Sequence, residues 1–117
     1  MKKRDYLMFL EDILDSINQI ESYIFGMSFQ DFSIDRKTID SVIRNIEIIG
    51  EASKNIPGSI QEKYPDIPWN RMVGLRNVAI HAYFGIDLEN IWKIITTNIP
   101  QVKTEIQRIL QSAHNKF

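Results

Sequence analysis

Residues 76 to 83 read RNVAIHAY, which sets Arg76, Asn77, His81 and Tyr83 among Val78, Ala79, Ile80 and Ala82. The polar members are the types that phosphodiester chemistry uses. Histidine has an unperturbed pKa near neutrality, so it can take a proton from an RNA 2′-hydroxyl or return one to a leaving 5′-oxygen. Arginine is always charged and fork-shaped, and can stabilise the extra negative charge of a pentacoordinate phosphorus. Asn77 can hold an imidazole or a phosphate oxygen. This scheme requires no metal and no cofactor, and His81 and His114 are the only histidines, in a chain without cysteine, from which a soft-ligand metal site could be built.

Helical geometry constrains how these groups can meet. At about 100° per residue, Asn77 and His81 share a face, while Arg76 and Tyr83 nearly eclipse one another seven positions apart. Arg76 and His81 diverge by about 140° and do not point at one spot on a single ideal helix. Two copies meeting near a twofold axis would close that gap, with Gly74 letting the backbones approach. Arg76 is also placed to pair with an acid of the preceding long helix, Glu47 or Glu51, an ion pair that would orient the guanidinium.

The elements that must position these residues are legible as apolar stripes. Leu7, Leu10, Ile13, Leu14, Ile17, Ile20 and Ile24 recur at three- and four-residue steps from Tyr6 and predict a helix ending near Gly26. After a polar connection, Ile39, Val42, Ile43, Ile46, Ile49, Ala52 and Ile56 predict a second, with Ser33 or Asp35 as N-cap and Pro57-Gly58 as the stop. The proline-rich stretch up to Trp69 reads as loop, with a helical turn around Ile60 to Lys63. A third helix should run from Trp69 to His81 or Tyr83, with Pro68 in its first turn and Met72, Val73, Arg76, Ala79, Ile80 and Tyr83 at helical spacing. Gly85 can end it, and Asp87 can cap a long last helix from Leu88 to Leu110 that Pro100 should kink or restart. Trp69, Trp92, Phe84 and Tyr64 lie among apolar residues and are expected in the core or in dimer contacts. No alternating strand pattern of useful length appears.

The expected fold is therefore all-α, an antiparallel bundle of four to five helices in a single domain spanning 1–117. A 44% apolar and 25% charged chain of 117 residues can bury one core. No segment approaches the roughly 20 apolar residues of a membrane span, and Glu11 and Asp12 interrupt what a signal peptide would need, which makes the cytoplasm the expected compartment. The net charge of −1 excludes a global basic field, so any RNA contact must be local. Short basic clusters occur at Lys2, Lys3 and Arg4, at Arg36 and Lys37, and at Arg71 with Arg76. His114, in the polar tail, is expected to be exposed and inert.

The pattern Arg76-x-x-x-x-His81-x-Tyr83, with Asn77 directly after the arginine, resembles the signature of the HEPN superfamily and specifically its HepT-like toxin branch. RNIEIIGEASKNIP at 44–57, PDIPWNRMVGLRN at 65–77 and HAYFGIDLENIW at 81–92 resemble consecutive blocks of that family, so the likeness runs from about Asp5 to Leu110. The resemblance implies a helical HEPN domain, usually a homodimer, acting as a metal-independent endoribonuclease toxin with Arg76 and His81 at the dimer cleft. It also implies a nucleotidyltransferase antitoxin of the MntA kind, which transfers AMP to the tyrosine of the motif, here Tyr83. A phosphate ester on Tyr83, beside Arg76, would add negative charge and bulk where a substrate phosphate should sit. The competing reading is a noncatalytic helical dimer that binds a nucleotidyltransferase or a nucleotide.

Overall fold

A computed structural model describes residues 5–84 and 87–114. The expectations placed on Lys2, Lys3, Arg4 and Gly85 lie outside these residues. Among the described residues the chain is helical without strands: α1 (Tyr6–Ile24), α2 (Phe29–Ile34), α3 (Arg36–Lys54), α4 (Gly58–Lys63), α5 (Trp69–Tyr83), α6 (Leu88–Lys93), a π-helical turn (Ile94–Asn98) and α7 (Ile99–His114). The all-α bundle expected from the stripes is what forms. No helix among these residues is long and apolar enough to cross a membrane.

Helix ends follow local chemistry. Asp5 caps α1 by accepting the Leu7 N–H at 3.1 Å, and Gly26 leaves the helix with φ +77°, a backbone that glycine adopts without a Cβ penalty. Asp35, rather than Ser33, caps α3: the Thr38 N–H donates to its Oδ1 at 3.1 Å, which holds the carboxyl below the usual aspartate range. Pro68 sits one residue before α5 instead of inside its first turn, and its carbonyl accepts the Met72 N–H.

The connection read as polar loop contains α2. Its start is a capping box, in which the Asp31 N–H donates to Ser28 Oγ and the Ser28 N–H donates to the Asp31 carboxylate. Phe32 drops from this short helix into the core and meets Trp92 with ring centroids 5.2 Å apart. That contact ties the α2 corner to α6.

The core is aliphatic. Ile13, Ile17 and Ile20 of α1, Val42, Ile46 and Ile49 of α3, and Ile106 of α7 are almost wholly buried. α3 is central, packed on α1 along one side and on α5 along the other, and α7 closes over α1. A Lys103–Glu21 ion pair joins the last two. Proline 100 does restart the final helix: its ring would clash with the carbonyl four residues back, and the wider π-turn, closed by the Ile99 N–H on the Ile94 carbonyl, displaces that group.

Candidate active site

The close approach of α3 and α5 fixes one half of the site. Gly50 is buried in α3, and a Cβ built there would lie 2.8 Å from the backbone nitrogen of Arg76 and 3.3 Å from its Cβ. Only glycine permits that crossing. Glu51, the next residue, consequently faces Arg76, with Oε2 3.6 Å from Nη1 and both side chains 54% exposed. Of the two acids offered by the sequence, Glu51 is the partner. At this distance and exposure the pair orients the guanidinium but contributes little stability, on the order of 0 to 1 kcal/mol.

The buried face of α5 differs from the stripe expected for it. Trp69, Met72, Leu75, Ala79 and Ala82 point inward, whereas Ile80 is 47% exposed and Tyr83 66% exposed. Apolar residues surround this helix, so periodicity alone did not single out the core side. The outward face carries Asn70, Gly74, Asn77, Ile80 and His81, with Arg76 along one edge and His81 along the other. At Gly74 an added Cβ would meet nothing within 4 Å. Phe84 also leaves the core: it is 75% exposed and stacks edge-on against Tyr83 at 5.9 Å. Trp69 is buried and donates its Nε1–H to the Tyr64 carbonyl, and Trp92 packs on Phe29 and Phe32, as core residues should.

His81 faces a different element from Arg76. Together with Asn77 and Val78 it lines a cleft of about 200 Å³ whose other wall is Asp87, Asn90 and Ile91, from the start of α6. Asn77 and His81 thus share one surface, as their spacing required. Asp87 and Asn90 carried no sequence signal as site residues beyond the cap, because they reach His81 from a separate helix. Asp87 caps α6 by accepting the Asn90 N–H at 3.1 Å. Its backbone is left-handed, φ +67°, a state that costs a non-glycine residue on the order of 1 kcal/mol and that aspartate and asparagine tolerate best. A larger groove of about 650 Å³ runs between α5 and the π-turn with α7, lined largely by apolar side chains such as Met72, Leu75 and Val78, and does not include His81.

Within one chain, then, the arginine and the histidine stand on opposite edges of an exposed helix face, Arg76 paired with Glu51 and His81 lining the cleft whose other wall includes Asp87. Tyr83 stands on the arginine edge with its ring accessible, and His114 is exposed at the end of α7, away from these residues in the chain order. The arrangement offers one imidazole, one exposed guanidinium and polar amides on a solvent-facing helix, side-chain types that phosphodiester cleavage uses.

Comparison with known proteins agrees with this class. A family model described as Ribonuclease HepT-like matches residues 13–109. The chain is 44% identical over 107 residues to "Probable ribonuclease HepT" of Thermococcus cleftensis, covering 92% of this chain and 97% of that one. It is likewise 44% identical over 107 residues to "Putative RNase MJ1380" of Methanocaldococcus jannaschii, with 92% and 98% coverage. A third relative, "Putative RNase TTE0752" of Caldanaerobacter subterraneus subsp. tengcongensis, is 38% identical over 103 residues, 88% of this chain and 92% of that one. No solved structure matches. The chain belongs to the HepT-like ribonuclease family.

Proposed function

We propose that this protein is a metal-independent endoribonuclease, the toxin of a toxin–antitoxin pair, acting as a homodimer with Arg76 and His81 as catalytic residues. The observation that carries the reading is the disposition of α5. Its exposed face, with half-exposed Ile80 between the two functional edges and bare Gly74 just past His81, is the surface a second copy would cover. Antiparallel apposition of two such faces sets Arg76 of one protomer against His81 of its partner, the meeting that about 140° of divergence forbids within one helix.

In the resulting cleft, one His81 takes the proton from the 2′-hydroxyl, and the 2′-oxygen attacks the adjacent phosphorus. The P–O5′ bond breaks, the leaving oxygen is protonated by the second His81, and the products are a 2′,3′-cyclic phosphate and a 5′-hydroxyl end. Arg76 stabilises the extra charge on the phosphoryl oxygens, oriented from behind by Glu51. Asn77 supports His81 on the same face.

Control by a nucleotidyltransferase antitoxin fits the same geometry. The Tyr83 hydroxyl attacks the α-phosphorus of ATP, pyrophosphate leaves, and the AMP ester stands beside Arg76, where it would occupy the guanidinium and obstruct the approach of RNA. The ring's exposure makes it reachable by another enzyme.

The test is cleavage of RNA by purified protein in EDTA, beside His81→Ala and Arg76→Ala. Cleavage by the parent and its loss in both variants is the expected result. Persistent cleavage in His81→Ala would remove the nuclease assignment, and a parent that cleaves nothing would leave the noncatalytic binding dimer. The regulatory half predicts a mass increase of one or more AMP units on Tyr83 after incubation with ATP and a nucleotidyltransferase of the MntA kind, absent in Tyr83→Phe.

A further inference from the structure

The cleft beside His81 has a chemistry that phosphate binding does not explain. Its lining among the described residues is Asn77, Val78, His81, Asp87, Asn90 and Ile91, with no lysine or arginine. A carboxylate on the wall repels a phosphate, and one carboxylate with one imidazole falls well short of the oxygen-rich ligand set of a hard cation. Val78 and the buried Ile91 supply apolar wall, while two amides and a carboxylate supply directional acceptors and donors. The volume of about 200 Å³ is that of a single flat ring system, since a cavity of about 150 Å³ already accommodates benzene.

We propose that this cleft is a nucleobase subsite, holding the base next to the phosphate that is cut, with Asp87 and Asn90 as its specificity-determining residues. The inference deepens the nuclease reading and rests on it for the identity of the ligand. Single-stranded RNA is read by splaying a base out of the strand and bonding its polar edge. A carboxylate only accepts hydrogen bonds, so Asp87 selects bases that present an amino group, cytosine, adenine or guanine, over uracil, which offers one N–H flanked by two carbonyls. Asn90 and Asn77 satisfy the neighbouring ring nitrogen or carbonyl. The backbone supports the assignment independently: Asp87 is the single non-glycine residue at positive φ among those described, and strain of that kind concentrates where a side chain must be held at a set place.

The experiment measures relative kcat/KM on short oligoribonucleotides that differ only in the base beside one cleavable linkage. In parallel, anisotropy follows binding of the same oligomers made uncleavable by a 2′-deoxy substitution at that linkage. The variants are Asp87→Asn, which keeps the cap and tolerates left-handed backbone, and Asn90→Ala, whose N–H still reaches Asp87; both are checked by circular dichroism for a native fold. We expect the parent to prefer amino-bearing bases over uracil by about tenfold or more, and each variant to shrink that ratio at least severalfold. Equal preference in parent and variants, or a parent blind to the base in both assays, overturns the subsite. The two hypotheses fail separately. Base-selective binding without any cleavage removes the nuclease and leaves the subsite, whereas cleavage with a flat base profile removes the subsite and leaves the nuclease.

Discussion

Gly50→Ala tests the claim that one backbone contact positions Arg76, the arginine proposed to be catalytic. The added Cβ would sit 2.8 Å from the Arg76 nitrogen, where ordinary van der Waals contact begins at 3.4 Å, and the obstructing atoms are backbone and Cβ, which cannot swing aside. α5 must therefore shift by several tenths of an ångström relative to α3. Overpacking of this kind costs about 1–3 kcal/mol, and alanine's better helix propensity returns up to about 1 kcal/mol in the middle of α3. The net expectation is a loss of about 1–2 kcal/mol, a fall in Tm of roughly 4–10 °C, leaving the variant folded at 25 °C. Activity should suffer more, because displacing a catalytic group by about 1 Å can cost on the order of 10²-fold. The assays are thermal unfolding by circular dichroism and RNA cleavage at 25 °C. A variant as stable as the parent, or one that is destabilised yet cleaves at the parental rate, would refute the reasoning.

Other perturbations separate function from folding. Arg76→Lys should abolish most cleavage while moving Tm by less than about 4 °C, since an exposed ion pair contributes on the order of 1 kcal/mol at most and lysine cannot reproduce the guanidinium fork; denaturant titration beside the cleavage assay checks both halves. Ile46→Ala, at a fully buried position of α3, should destabilise by about 2–5 kcal/mol through lost burial and a cavity, measured as a lower urea midpoint. Asp35 has its carboxyl lowered in the folded state, chiefly by the Thr38 N–H, so its contribution is present above the unfolded carboxylate's range and is lost as pH falls through the folded value. Stability should decline below about pH 4, and Asp35→Asn, which keeps a cap but cannot titrate, should flatten that part of the profile.

How much of the site was visible beforehand depends on which residues share an element. Arg76, Asn77, His81 and Tyr83 lie on one helix, and their relative directions follow from 3.6 residues per turn; the divergence of Arg76 from His81 and the pairing of Asn77 with His81 needed no coordinates. Partners on other elements were another matter. The sequence offers Glu47 and Glu51 as companions of Arg76, with Glu51 as the supporting residue, and leaves Asp87 and Asn90 as a helix start with no tie to His81. α2 leaves no stripe in the sequence, because six residues are too few to show one, although Ser28 and Asp31 spell its capping box.

Periodicity also determined α1, α3 and α7, whose stripes have one clear apolar side, and so the all-α bundle. It could not decide α5, where Val73 and Ile80 compete with Leu75 and Ala82 for the interior. Tertiary packing settled that choice: Gly50 lets α3 approach at Arg76, and the buried side follows. The same packing turned Ile80 and Phe84 outward and placed Asp87 and Asn90 across from His81. The physical reason is that local rules set angles along one helix, whereas the contacts between helices depend on every side chain at the crossing at once, and there a single missing Cβ decides which surfaces meet.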